Sequence, residues 1–281
     1  MKIGITEGSL GRYGADRYKK MAELGFLYAD FGMSNTDAAW YTCDEEELVQ
    51  RVEAEKNTVA EAGVVINQVH GPWRWPPQDG TPEDRAERME KMKRSIHITA
   101  MLGCKNWVIH PIMPFGTNDL DTGKAEETWE LNVVFMRELL ACAKAHDVYI
   151  CFENMPMPRF SIGSPTEILK FVREMNDDHF KICLDTGHVN VYEGLTLGGA
   201  VREMGKDIRV MHVHDNDGKG DRHQFPYFGT ADWADFGAAL REIGYDGVFS
   251  FETGPSWKMP EPVFDDACRL LVTAARCIMG E

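Results

Sequence analysis

The strongest constraint in this 281-residue chain is a rhythm: short apolar runs alternate with longer amphipathic stretches, eight times over. The runs are 2–6 (KIGIT), 26–31 (FLYADF), 64–69 (VVINQV), 106–110 (NWVIH), 148–153 (VYICFE), 180–185 (FKICLD), 209–214 (RVMHVH) and 247–252 (GVFSFE). Helical patterns lie near 13–24, 44–62, 82–102, 124–146, 164–175, 196–205, 232–243 and 262–278. In the last, Val263, Ala267, Leu270, Ala274 and Ile278 recur at helical spacing and form one face for packing. A strand followed by a helix and another strand implies a parallel sheet, because the helix returns the chain to the end where it started. Strict alternation of this length predicts an α/β fold, a closed (β/α)8 TIM barrel, as a single domain over 1–281. Such barrels reach about 250 residues as one unit. A doubly wound open sheet is the competitor, but no G-x-G-x-x-G follows the first strand.

Local signals agree with these boundaries. Thr81-Pro82-Glu83-Asp84 supplies an N-cap, a proline at the first helical position and acids on the positive end of the helix dipole. Ser164-Pro165-Thr166-Glu167 is a capping box with the same proline placement. Gly25, Gly63, Gly103 and Gly244 each stand just before the next strand, as helix stops.

Hydrophobic residues make up 43% of the chain, enough for a sizeable core. No apolar run approaches the roughly 18–20 residues that span a bilayer, and residues 1–6 lack the long apolar stretch of a secretory signal. The expectation is a cytoplasmic protein with no membrane partner. Seven scattered cysteines without a C-x-x-C pair read as reduced thiols. A formal net charge of −15 argues against a polyanion as partner, so no nucleic acid is expected.

In a barrel of this kind the active site is built at the carboxyl ends of the strands. Strand three ends at His70, strand four at His110, strand five at Glu153-Asn154, and strand six at Asp185, followed by His188. Strand seven carries His212 and His214, then Asp215, and strand eight ends at Glu252. A buried carboxylate or imidazole without a partner costs several kcal/mol. So many converging groups would repel or neutralise one another unless a cation sat among them. Carboxylate and imidazole ligands suit Mn²⁺, Zn²⁺, Co²⁺ or Mg²⁺, so one divalent ion is the expected cofactor. His97, His146 and His179 fall in a helix, near a helix end and in a loop, and read as structural.

His212 and His214, two apart, face the same side of the sheet, and either is a candidate ligand. Asp215-Asn216-Asp217-Gly218 reads as a turn, followed by Asp221-Arg222-His223. That Asp-x-His pair could hold a second ion or substrate hydroxyls, or belong to a surface loop. Trp73 and Trp75 offer flat faces for a sugar, or for a lid that packs on itself. Arg159 could pair with a phosphate or carboxylate, or be a surface arginine.

Taken together, His70-Gly71, His110-Pro111, Glu153-Asn154, Leu184-Asp185-Thr186-Gly187-His188, His212-Val213-His214-Asp215-Asn216, Asp221-Arg222-His223 and Phe251-Glu252 resemble the xylose-isomerase-like barrel superfamily. It includes sugar phosphate isomerases/epimerases, ketose 3-epimerases, inosose dehydratases and type IV AP endonucleases. In its isomerase branch the resemblance implies one metal held by Glu153, Asp185, His212 and Glu252. His212 is preferred over His214 because the family's metal histidine precedes an acid by three, here Asp215; Asp217 stands in the same relation to His214. His188 would contact substrate, with His70, Trp73, His110, His214, Asp221, His223 and Arg159 as further substrate-binding candidates. The endonuclease branch holds three zinc ions and would recruit His70, His110, His188, Asp221 and His223. Against it stand the net charge and the segment Met155-Pro156-Met157-Pro158-Arg159, which is similar to the isomerases. Two departures separate the chain from free-ketose epimerases. Arg159 stands where they carry a Glu, and Gly218 where they carry an Arg.

The chemistry so implied is proton transfer next to a sugar carbonyl, through an enediolate stabilised by the metal. Glu153 and Glu252 would move the proton and His188 would steady the oxyanion. A dehydratase or lyase acting on a keto-sugar or keto-inositol would use the same apparatus, and a non-catalytic sugar-binding barrel would keep it without turnover. The expected partner is a small carbohydrate, with a homo-oligomer allowed.

Overall fold

The computed structural model describes residues 1–281. Its eight strands are β1 (Ile3–Thr6), β2 (Tyr28–Gly32), β3 (Val65–His70), β4 (Asn106–Ile109), β5 (Tyr149–Glu153), β6 (Phe180–Asp185), β7 (Ile208–His212) and β8 (Phe249–Phe251). They form one sheet in the order β7-β6-β5-β4-β3-β2-β1-β8, with every paired neighbour parallel. The ring closes between β7 and β8 through Val213. Its N–H donates to the Ser250 carbonyl at 2.8 Å, and its carbonyl accepts from the Glu252 N–H at 3.2 Å. The TIM barrel expected from the alternation is the fold observed.

The outer helices fall close to their expected positions because their termini are written in the sequence. Helix Pro82–Met101 starts with a capping box, in which the Thr81 hydroxyl accepts from the Asp84 N–H and the Asp84 carboxylate from the Thr81 N–H. Helix Pro165–Met175 starts with Ser164 accepting from the Glu167 N–H. Gly25, Gly63, Gly103 and Gly244 all adopt the left-handed backbone that ends a helix.

Two boundaries differ from expectation. The first helix covers only Arg17–Leu24, because residues Glu7–Asp16 form 3₁₀ turns broken at Gly14 (φ 56°). Gly8, Gly11 and Gly14 in that stretch weaken an α-helix. The strand expected over 209–214 leaves its ladder at His212, since only Val213 reaches β8. Short helices at Ala39–Thr42, Asp119–Thr122 and Thr186–Asn190 were not expected; they sit in loops at the mouth end.

The barrel interior is layered. Val108, Cys151, Cys183 and Val210 form a small buried cluster of their own, each two residues before a mouth residue of β4–β7. Period two along a strand places them on the same inward face, one level below. Beneath them the Arg209 guanidinium lies 3.5 Å from the centre of the Tyr149 ring and donates to Asn106 Oδ1 at 2.5 Å. Between barrel and helices the packing is aromatic, with Phe152, Phe171 and Phe180 in mutual contact. All seven cysteines are free thiols. No helix is long and apolar enough to cross a membrane.

Candidate active site

The strand ends meet at one point. Ligand-type atoms of Glu153, Asp185, His212 and Glu252 all lie within 4.8 Å of one another. His212 Nδ1 is 3.0 Å from Glu153 Oε1 and 3.5 Å from Glu252 Oε2. Glu153, Asp185 and His212 are almost wholly buried, and Glu252 keeps about a quarter of its side-chain surface.

Two further groups flank this centre. On one side His70 Nε2 lies 3.2 Å from His110 Nε2, which lies 3.1 Å from Glu153 Oε2. On the other, His214 Nε2 is 3.0 Å from Asp185 Oδ2 and 3.6 Å from Asp221 Oδ1, and its ring stacks on His223 at 4.1 Å. His188 Nε2 approaches Asp221 Oδ2 at 3.4 Å and His223 Nε2 approaches it at 3.1 Å. His223 takes a left-handed backbone (φ 46°), an uncommon conformation for a side chain with a Cβ, to reach this position. The chain thus brings together all the histidines expected at the mouth. His212 and His214 diverge, the first between Glu153 and Glu252 and the second between Asp185 and Asp221.

Local structure explains how the acids are held. Asp185 is also the N-cap of the short helix that follows, its Oδ1 accepting from the His188 N–H at 2.7 Å while Oδ2 faces His214. Asn154 ties β5 to β6 by accepting from the Asp185 N–H and donating to its carbonyl. The His188 ring is fixed by Nδ1 donating to the Asn154 carbonyl at 2.7 Å. Gly187 has no room for a Cβ, which would lie 1.9 Å from the His214 ring.

A cavity of about 450 Å³ opens above the centre, within the usual range for small-molecule sites. His70, His110, Glu153, His188, Asp221, His223 and Glu252 line it, together with Trp73, Trp75, Met155 and Met157. Asp185, His212 and His214 are sealed off below. Trp73 packs edge-on against His110 at 4.7 Å, whereas Trp75 is largely exposed, so the two indoles wall the cavity unequally. No Lys or Arg lines it.

The electrostatics follow from that imbalance. Burial alone would raise the Glu153 carboxyl, but His212 and His110 outweigh it and hold it well below the ordinary range. Glu252 moves the other way, raised by burial against the pull of His212, with Glu153 and Asp185 adding to the rise. Burial disfavours charge on His188, yet Asp185 and the hydrogen bond to Asp221 outweigh it and lift the imidazole to about 10. His110, where burial wins, falls to about 4.

Several expectations need correction. Arg159 does not reach the cavity; its side chain is 71% exposed and pairs with Asp121 at 3.1 Å. Asp215, read as opening a turn after strand seven, anchors the loop that follows. It is fully buried and accepts from the N–H groups of Asn216, Gly229 and Ala231 and from the Trp233 indole. The sequence reading passed over Asp30, a buried acid on β2 that lines the cavity. Its signal was present: an acid inside an apolar strand run, not at its end. His97, His146 and His179 lie outside the mouth, the first two in ring contact at 5.1 Å and the third stacked on Tyr149.

A parallel eight-stranded barrel whose mouth gathers carboxylates and imidazoles defines a class of proteins that work at the ends of their strands. Residues 18–274 match the xylose isomerase-like TIM barrel family, and the chain belongs to it. A D-psicose 3-epimerase from Ruminiclostridium cellulolyticum is 32% identical over 125 residues, which is 44% of this chain and 41% of that protein. The chain therefore spans about two fifths of the length of that relative. A probable endonuclease 4 from Acholeplasma laidlawii is 25% identical over 247 residues, 82% of this chain and 78% of that one. Among solved structures, a D-psicose 3-epimerase determined in the presence of D-fructose superposes over 100% of both chains with a TM-score of 0.78 at 20% identity.

Proposed function

We propose that the chain is a divalent-metal-dependent isomerase or epimerase of a sugar or sugar derivative. The observation that carries this is the convergence of Glu153, Asp185, His212 and Glu252 at the floor of the cavity. Two buried carboxylates and a partly exposed third share that space with one imidazole, and no lysine or arginine lines the wall. Such a donor set fits a hard or borderline divalent cation, one of Mn²⁺, Zn²⁺, Co²⁺ or Mg²⁺. The related epimerase supports a carbohydrate as substrate.

When bound, such an ion supplies Lewis-acid stabilisation of the negative charge that develops on a carbonyl oxygen. The chain does the rest. Glu153 and Glu252 stand on different strands and both line the cavity, as a proton-removing and proton-returning pair requires. His188, held by Asn154 and facing the cavity, is a donor toward a substrate oxygen. Trp73 gives the sugar ring an apolar wall. Because Glu153, Glu252 and His188 stand at the ends of barrel strands or in the first turn after them, they are positioned before substrate enters.

The test is deuterium uptake from D₂O at carbon across a panel of ketoses, keto-inositols, 3-keto-glycosides and sugar phosphates, with one metal ion per chain. No uptake from any of them, in a metal-loaded protein, would overturn the reading. Net loss of water from a panel member would assign the same site to a dehydratase or lyase. A second reading has its own observation. The flanking groups His70–His110–Glu153 and His214–Asp221–His223 are also spaced to hold ions. Three zinc ions per chain with cleavage at abasic sites in DNA would make the protein a phosphodiesterase like the endonuclease 4 relative.

A further inference from the structure

Resting on the metal site proposed above, we propose that Asp30 is a positioning residue for His212, fixing which imidazole nitrogen faces the ion. Asp30 is 3% exposed and belongs to none of the groups spaced to hold a metal. Its Oδ2 lies 3.0 Å from His212 Nε2, on the side of the ring opposite Nδ1. That nitrogen is buried and has no aligned hydrogen-bond partner; Asp30 is the acid beside it. Nδ1 meanwhile faces Glu153 Oε1 and Glu252 Oε2.

The two sides of the ring have different requirements. A metal ligand presents a lone pair, so the ligating nitrogen carries no proton and the other nitrogen does. With the carboxylate of Asp30 beside Nε2, the favoured neutral form has its proton there and its lone pair at Nδ1, directed at the acids that would share the ion. A carboxylate behind a ligand histidine also raises its basicity. Asp30 is itself held. Gln68, wholly buried on β3, donates from Nε2 to the same Oδ2 at 2.8 Å. The Gln68 carbonyl oxygen Oε1 in turn accepts from the Asn67 amide at 3.2 Å, which fixes which end of the amide faces Asp30.

The experiment titrates metal-free protein with Mn²⁺ and records the visible absorption of the Co²⁺-saturated form, for wild type, Asp30→Asn, Gln68→Leu, His212→Asn and the double variant Asp30→Asn/His212→Asn. Loss of a carboxylate behind a metal histidine weakens metal binding by about 10–100-fold. Asp30→Asn is expected to do so, and Gln68→Leu to act in the same direction but less. Both should keep the wild-type Co²⁺ spectrum, because the ligand atoms are unchanged. In the His212→Asn background, Asp30→Asn should cost nothing further, which a general structural defect would not reproduce. Mn²⁺ affinity of Asp30→Asn within twofold of wild type would overturn the proposal, as would an altered Co²⁺ spectrum, which would make Asp30 a ligand. If Asp30→Asn does not fold, the same comparison on Gln68→Leu decides. Failure of the wild type to bind metal would be a separate result, sinking the metal site itself and Asp30's part with it.

Discussion

Asp215 offers a sharp test of how the mouth is held together. Its Oδ1 accepts from the Asn216 and Ala231 N–H groups at 2.8 and 3.2 Å, and its Oδ2 from the Gly229 N–H and the Trp233 indole at 3.0 and 2.9 Å. Replacing it by alanine strips partners from the Asn216, Gly229, Ala231 and Trp233 donors at one stroke. Each buried donor left unpaired costs about 1–3 kcal/mol. Water entering the space would satisfy some of them, so Asp215→Ala should lose about 4 kcal/mol. At roughly 2–4 °C per kcal/mol for a chain of this size, the melting temperature should fall by about 8–16 °C. Asp215→Asn should lose less, because its amide keeps one acceptor while placing a donor against donors. Circular-dichroism melts of the metal-free proteins measure both. The loop between Asp215 and Trp233 carries Asp221 and His223 into the cavity, so ligand affinity should drop alongside stability. A melting temperature within about 2 °C of wild type for Asp215→Ala would refute the assigned role.

Other outcomes follow from the same geometry. Glu153→Gln and Glu252→Gln should each lower turnover by about 10²–10⁴-fold, read by deuterium uptake, while substrate binding by calorimetry is largely kept. Unchanged turnover in either would remove it from the chemistry. His188 is raised from 6.5 to about 10 in the fold, so its contribution to stability is complete below about pH 6.5 and is lost as pH rises toward 10. The melting temperature of the metal-free chain should decline over that window, and His188→Gln should flatten the decline. Gly187→Ala would force its Cβ into the buried His214 ring and should cost about 1–3 kcal/mol, visible as a lower melting temperature. Mn²⁺ at 100 times its dissociation constant should stabilise the wild type by about 2.7 kcal/mol, and a chelator should reverse the gain; identical melts with and without metal would contradict the site.

The fold was legible because its signals are local. Helix Pro82–Met101 begins where Thr81 and Pro82 require, and the barrel alternation survives any error at a single boundary. The strand-end residues were legible for the same reason: β-strand parity and the carboxyl-end rule carry Glu153, Asp185 and Glu252 to one place. What escaped depends on contacts across the ring. Asp30 stands out as an acid within an apolar strand run, but its role shows only in its approach to His212 from β7. Asp215 reads as a turn acid until residues 229–233 fold back onto it. Arg159 suggested an anion contact by charge alone, and its pairing with Asp121 on a neighbouring loop took it elsewhere.

The closure at Val213 has a consequence for motion. Two hydrogen bonds join Val213 to the last strand; His212 precedes Val213, and the Glu252 N–H donates one of the two. Breathing at this seam would pull these two groups apart before any other pair in the ring. An ion gripped by both would act as a clasp across the weakest stave joint. Occupancy of the mouth and integrity of the barrel would then rise and fall together, with amide exchange at Val213 and Glu252 slowing as the clasp fills.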